Sequence, residues 1–236
     1  MIGIISSTIN PSQRPILDGK RTVFSPEERL IQTIESIESL IRIGVKEIIV
    51  IDNSPFLKDN VEAKLKPAQL IRVGMYSFQN KGISEALSLL SVIDKINRDG
   101  PVIKLSGRYA VEKSEIINQI DWDRVDVVGN GVVGWMNTRC YIVSNIRILN
   151  MLMNESVRQM YRGNFRIVGP RSLRDHLIRL VRPGKDRYQY HDPPFSLEFG
   201  LYQAIKHLGL RANMRAKIVV RGQLGGGAAG GERVVD

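Results

Sequence analysis

Apolar positions follow two rhythms along the first half of the chain. Residues 2–6 form a short apolar run, and 45–51 (VKEIIVI) a second one rich in β-branched side chains. Such near-continuous runs are expected of strands covered on both faces in a parallel sheet. Residues 69–73 and 101–105 predict two further strands. Between these runs the spacing changes. Leu30, Ile31, Ile34, Ile37, Leu40 and Ile41 recur at steps of three and four, as do Ile83, Ala86, Leu87, Leu90, Ile93 and Ile96. Each set marks one face of a helix. Ser25 as N-cap, Pro26 at the first helical position and Glu27 and Glu28 in the first turn start the former helix, and Gly44 ends it. Strand, helix, strand, strand, helix, strand predicts an α/β protein with a mixed, mostly parallel, Rossmann-like sheet flanked by helices.

The second half is less regular. Residues 125–128 and 140–143 predict strands, 145–161 a helix, and 195–208 an amphipathic helix through Phe199, Leu201, Tyr202, Ile205 and Leu208. Residues 182–194 read as a loop, and the glycine-rich 224–231 as the start of a mobile tail. The expected division is a core over 1–145, a C-terminal helical extension of the same domain over 146–223, and a flexible tail over 224–236.

Composition narrows the class. With 236 residues, 43% hydrophobic and 25% charged, the chain can bury one sizeable α/β core. It has no run of about 18 apolar residues, and its start reads as a first strand rather than a signal peptide. Cys140 is the single cysteine, so no internal disulfide forms, and with three scattered histidines it makes no recognisable zinc site. A cytoplasmic location is expected. The net charge of +10 implies an anionic partner: a phosphate-bearing ligand, a nucleic acid or a membrane surface. The excess is concentrated in 158–187, where nine Lys or Arg face two Asp, a net of +7.

In open α/β sheets, ligands bind beyond the carboxyl ends of the strands. That rule selects Ser6, Ser7 and Thr8, then Asp52 and Asn53, then Ser106, Gly107 and Arg108. A carboxylate at a strand end, such as Asp52, can accept hydrogen bonds from ribose hydroxyls or base N–H groups. A helix start at Asn80, Lys81 and Gly82 brings backbone N–H groups, a favourable dipole and a cation to an anionic ligand. Both segments are equally good structural sequences, the first a turn and the second a helix cap.

These residues resemble glycosyltransferase family two and its GT-A relatives. Residues 28–54 look like the family's first helix and second strand, ending in the acidic position that contacts base or ribose, here Asp52. Residues 80–86 look like its Asn-x-Gly-x-x-x-Ala segment, and the similarity covers roughly 1–145. The resemblance implies a GT-A fold, a nucleotide-sugar donor, and a divalent metal, Mg or Mn, held by an Asp-x-Asp after the fourth strand. That motif is absent: the position reads Lys104, Leu105, Ser106, Gly107, Arg108, of which Lys104, Ser106, Gly107 and Arg108 are expected to bind the nucleotide sugar. Arginine can neutralise phosphate oxygens directly with its planar fork of donors, so Arg108 is the expected substitute for some or all of the metal's role. Arg108 can equally pair with a structural carboxylate such as Glu112. His191 and Asp192 are candidates for a phosphate or metal ligand, as in relatives with a late histidine. The family's base sits at a helix start after the acceptor strands, which selects Glu198. Trp135 and Asn137, in the glycine-rich 129–137, are expected on the acceptor side, with Trp135 stacking on a sugar face or simply packing. The acceptor would be a glycan or lipid-diphosphate hydroxyl in bacterial-type surface polysaccharide synthesis. The basic stretch from 158 would then lie against the inner face of the membrane as a peripheral contact.

Two rival classes fit less well. A sugar nucleotidyltransferase would be expected to carry a glycine-rich loop after the first strand, and residues 6–14 hold no glycine. A nucleic-acid-binding module would explain the charge, yet no recognition motif or aromatic-studded strand occurs.

Overall fold

The computed structural model describes residues 1–11, 24–74, 78, 80–96, 99–112, 115–165, 193–216, 218–223 and 233–235. Its core is a seven-stranded sheet in the order β3-β2-β1-β4-β7-β6-β8. The first four neighbours are β3 (Gln69–Arg72), β2 (Glu47–Asp52), β1 (Ile2–Ser7) and β4 (Val102–Ser106), all mutually parallel. β7 (Trp135–Val143) is antiparallel to both β4 and β6 (Val127–Val132), and β8 (Ala212–Asn213) is parallel to β6. Six strands therefore point one way and β7 alone the other. The sheet is mixed, mostly parallel and flanked by helices, as the sequence predicts.

Burial on both faces explains the near-continuous apolar strands. Ile4, Ile49, Ile51, Val102 and Tyr141 point to one side, where α3 (Lys81–Ile93), α4 (Ile146–Phe165) and α5 (Leu197–Leu208) cover them. Ile5, Ile48, Val50, Ile103, Leu105 and Ile142 point to the other, beneath α1 (Pro26–Arg42) and the short α2 (Val61–Lys64). α1 begins with the expected capping box: Ser25 accepts from the Glu28 N–H while Glu28 accepts from the Ser25 N–H.

Two expectations are corrected, and the glycine-rich 129–137 takes a definite form, a hairpin in which β6 and β7 pair through Gly131 with Met136 and Val132 with Trp135. The region 146–223 is not purely helical. After α5 it adds β8 to the main sheet, while β9 (Val220–Gln223) pairs with β5 (Tyr109–Val111), binding the C-terminal part to the N-terminal core. The final residues are not all tail, since β10 (Arg233–Val235) pairs antiparallel with β9. Short strands carrying Arg and Gly are masked in the sequence, because their ladder bonds come from remote partners rather than from an apolar rhythm.

No helix among the described residues is long and apolar enough to cross a membrane.

Candidate active site

β1 feeds α1 and β2 on one side, whereas the chain returns from β3 through α3 to β4 on the other. The strand order therefore reverses between β1 and β4, the place where open α/β sheets form a ligand crevice. A cleft of about 160 Å³ opens there, lined by Ser6, Ser7, Thr8, Arg29, Asn53, Lys81, Ser84, Glu85, Ser88, Ser106, Gly107 and Arg108, with Pro11 and Ile51. Three of these side chains are cationic and one is anionic.

The β-strand ends are locked together first. Gly107 N–H donates to the Ser6 carbonyl at 2.8 Å, and a Cβ on Gly107 would come within 3.2 Å of that oxygen and of the Ser7 side chain. The turn after β4 can thus lie directly on β1. The Ser7 hydroxyl meets Thr33 Oγ1 at 3.1 Å, and Asn53 Oδ1 accepts from the Thr8 hydroxyl.

Arg108 lines the cleft, as predicted, and Arg29 from the first turns of α1 joins it. Arg29 Nε donates to the Thr8 carbonyl. Burial pulls the Arg29 pKa down to about 10, and the Arg108 charge pulls the same way, with Asp52 opposing both. Two guanidiniums that repel each other inside one cleft form a site that an anion would relieve.

A buried ion pair forms the floor. The Lys104 ammonium, 1% exposed, pairs with the Glu85 carboxylate and donates to Ser106 Oγ at 3.1 Å and to the Thr138 carbonyl at 2.7 Å. Glu85 Oε1 also accepts from the Ser6 hydroxyl at 2.8 Å. Lys104 is therefore held beneath the cleft by Glu85 and does not line it, which corrects its expected contact with the nucleotide sugar.

Other predicted residues have structural partners. Asp52 is 0% exposed, and its two oxygens accept from Ile9 N–H and Ser54 N–H at 2.8 Å each. It shapes the rim, but its neighbour Asn53 lines the cleft. Asn80 Oδ1 caps α3 by accepting from Gly82 N–H at 3.0 Å, while its Nδ2 donates to the Pro193 and Phe195 carbonyls at 3.1 and 2.9 Å. A Cβ on Gly82 would sit 2.7 Å from Leu197 Cβ. Asn80 and Gly82 thus clasp the starts of α3 and α5, and of that motif only Lys81 reaches the cleft.

Glu198, in the first turn of α5, does not line the cleft. Its Oε1 accepts from the Thr138 hydroxyl at 3.0 Å, so Thr138 links it to Lys104. Trp135 is 40% exposed at the hairpin beside the exposed Val132 and Val133, and Asn137 is buried with its side chain accepting from Arg139 N–H. Neither lines the cleft. β4–β7 pairing ends at Leu105 with Cys140, so the first residues of β7 overhang the cleft end of the sheet. Burial pushes the Cys140 thiol up to about 12, which leaves it unreactive. His191 and Asp192, like most of the basic 158–187, lie outside the described residues.

Arg29, Ser84, Glu85 and Ser88 were not singled out from the sequence. The signal for Glu85 was its place four residues after Lys81 among small polar side chains.

Fold and site together define an α/β protein with a cationic crevice at the reversal of its strand order. No family model matches the chain, and no curated protein matches it. Among solved structures it is similar to an active-site mutant of LgtC, with a TM-score of 0.47 and 9% identity over 75% of this chain and 70% of that one. It is also similar to the galactosyltransferase LgtC in complex with donor and acceptor sugar analogues, with a TM-score of 0.43 and 10% identity over 69% of this chain and 63% of that one. The apo structure of the bifunctional glycosyltransferase WbbM matches with a TM-score of 0.38 and 10% identity over 64% of this chain and 33% of that one.

Proposed function

We propose that this protein is a glycosyltransferase that moves a sugar, of hexosyl type, from a nucleotide-sugar donor to a hydroxyl of a glycan or lipid-linked acceptor. The observation that carries the reading is the convergence of Arg29, Lys81 and Arg108 on one crevice at the carboxyl ends of β1, β2 and β4. At about 160 Å³ the cavity is smaller than the roughly 300–1,000 Å³ of sites that enclose a whole small molecule. It therefore grips part of the donor, and the cations select its diphosphate.

In the transfer, the bond between the anomeric carbon and the diphosphate oxygen breaks, and a bond from that carbon to the acceptor oxygen forms. The guanidiniums of Arg29 and Arg108 stabilise the charge that grows on the departing diphosphate. The acceptor proton passes to a carboxylate, for which Glu198, oriented by the Thr138 hydroxyl, is the candidate. The described residues of the crevice do not fit a divalent cation. Its one carboxylate, Glu85, is engaged by Lys104, and no group of three His, Cys, Asp or Glu converges among the described residues. Metal-independent phosphate neutralisation is accordingly part of the proposal. A lipid-linked acceptor, with the enzyme peripheral on the inner face of the membrane and active in surface polysaccharide synthesis, accords with the basic 158–187 sequence.

A thermal-shift panel of nucleoside diphosphates and nucleotide sugars, with chelator or with Mg²⁺ or Mn²⁺, tests this. A ligand at about 100 times its Kd adds roughly 2.7 kcal/mol, or about 5–10 °C in a domain of this size. The expected result is such a shift in chelator, reduced in Arg108→Gln and Arg29→Gln by the about 10- to 150-fold loss that one charged hydrogen bond brings. No shift with any nucleotide would refute the donor reading, and a shift that needs metal would refute the guanidinium substitution.

A further inference from the structure

Lys81, Ser84, Glu85 and Ser88 stand at i, i+3, i+4 and i+7 on one face of α3, and all four line the crevice. Ser88 directs its hydroxyl back to the Ser84 carbonyl at 2.8 Å, the usual fate of a serine within a helix. Ser84 does not follow suit. It is 6% exposed, and its Oγ has no hydrogen-bond partner among the described residues. A buried hydroxyl without a partner is costly unless something arrives to meet it.

Glu85 beside it presents the complementary chemistry. Oε1 receives the Ser6 hydroxyl and pairs with the Lys104 ammonium, and the side chain, 21% exposed, lines the crevice. A carboxylate paired with a buried lysine is an acceptor only, so what it can bind is a donor, and it repels phosphate. Phosphate is drawn to Arg29, Arg108 and Lys81 at the start of α3, and the Ser84–Glu85 part of the α3 wall is left for an uncharged, hydroxyl-bearing part of the same molecule.

We infer that Ser84 and Glu85 form a hydroxyl-recognition subsite. Glu85 accepts from one or two hydroxyls of a vicinal diol, and Ser84 either donates to or accepts from its neighbour. This rests on the donor reading above. The diol belongs either to the ribose or to the transferred sugar, both of which a nucleotide sugar contains.

Isothermal titration calorimetry distinguishes these. The wild-type protein, Ser84→Ala and Glu85→Gln are each titrated with inorganic pyrophosphate, with the nucleoside diphosphate that stabilises the wild type most, with its 2′,3′-dideoxy form, and with the corresponding nucleotide sugar. Ser84→Ala removes no hydrogen bond of the folded protein, so it reports on binding even if Glu85→Gln folds poorly. The expected result is an affinity loss of about fivefold for Ser84→Ala with a hydroxyl-bearing ligand and none with pyrophosphate. Loss with the nucleoside diphosphate but not its dideoxy form assigns the diol to the ribose. Loss confined to the nucleotide sugar assigns it to the sugar. Variants that match the wild type for every ligand it binds overturn the subsite alone, whereas a wild type that binds no nucleotide overturns the donor reading and the subsite with it.

Discussion

Glu85→Gln strips the counter-charge from Lys104, an ammonium 1% exposed beneath the crevice. Breaking a buried pair by removing one partner costs about 3–5 kcal/mol, because the remaining charge stays desolvated. Ser106 Oγ and the Thr138 carbonyl still accept from Lys104, which places the expected loss near the lower end, about 3 kcal/mol. The reverse change should be milder. In Lys104→Met the stranded carboxylate belongs to a side chain 21% exposed on an open cleft, where water and the Ser6 hydroxyl can solvate it, so about 1 kcal/mol is expected. With both changes no charge is left to strand, and the double variant should lie within about 1 kcal/mol of the wild type. The two sites then couple by about 3–5 kcal/mol, well above the roughly 0.5 kcal/mol scatter of independent sites. Urea unfolding measures all four proteins, with the slope checked for constancy so that midpoints report stability. In melting temperature the Glu85→Gln loss corresponds to about 6–12 °C. Equal losses in the two single variants, or a double variant whose loss is their sum, would show that the pair is not the buried, asymmetric interaction described here.

Gly82→Ala should destabilise although alanine favours helices. The new Cβ would fall 2.7 Å from Leu197 Cβ and 3.0 Å from its backbone nitrogen, and overpacking of about 1–3 kcal/mol exceeds a helix gain of up to about 1 kcal/mol. A melting temperature equal to or above the wild type would contradict the clasp between α3 and α5. Asp126 gives a pH-dependent case. The Arg211 guanidinium, bonded to both its oxygens at 3.0 and 2.8 Å, holds the Asp126 pKa below the usual 3.8. A carboxylate with a depressed folded pKa stabilises above its unfolded value and loses that contribution as pH falls through the folded one. The melting-temperature gap between wild type and Asp126→Asn should therefore be steady from pH 7 to pH 5 and close below about pH 4. A gap that persists unchanged at pH 3 would reject the assignment.

The layers were legible because burial on two faces imposes apolar continuity on β1, β2 and β4 and a three-four rhythm on α1 and α3. Asp52 shows where such reading ends. Its position at the tip of β2 was visible, but its direction depends on Ile9 and Ser54 offering two backbone donors inward, and neither residue type advertises that. Asn80 and Gly82 were legible as a helix start. Their service to Pro193, Phe195 and Leu197 lies more than a hundred residues away in sequence. Arg29 and Glu85 were hidden for a different reason. On an amphipathic helix a charged residue beside the apolar stripe looks like solvent-facing surface, and only the sheet's strand order turns that flank into a cleft wall.

The distribution of charge within that cleft also bears on what it can hold. Arg29 on α1 and Arg108 after β4 would by themselves attract any polyphosphate, including a nucleic-acid backbone. Glu85 on the opposite wall changes the preference, since Lys104 fixes it in place and its carboxylate lines the ligand space. A polymer whose negative charge repeats along its whole length would bring a phosphate against that carboxylate. A molecule anionic at one end and hydroxylated at the other fits both walls, and a diphosphate joined to a sugar has that form. The same Lys104 donates to the Thr138 carbonyl, and the Thr138 hydroxyl donates to Glu198, so the polar chain that fixes the donor wall also fixes the candidate base. Displacement of Lys104 would therefore disturb both sides of the proposed transfer at once.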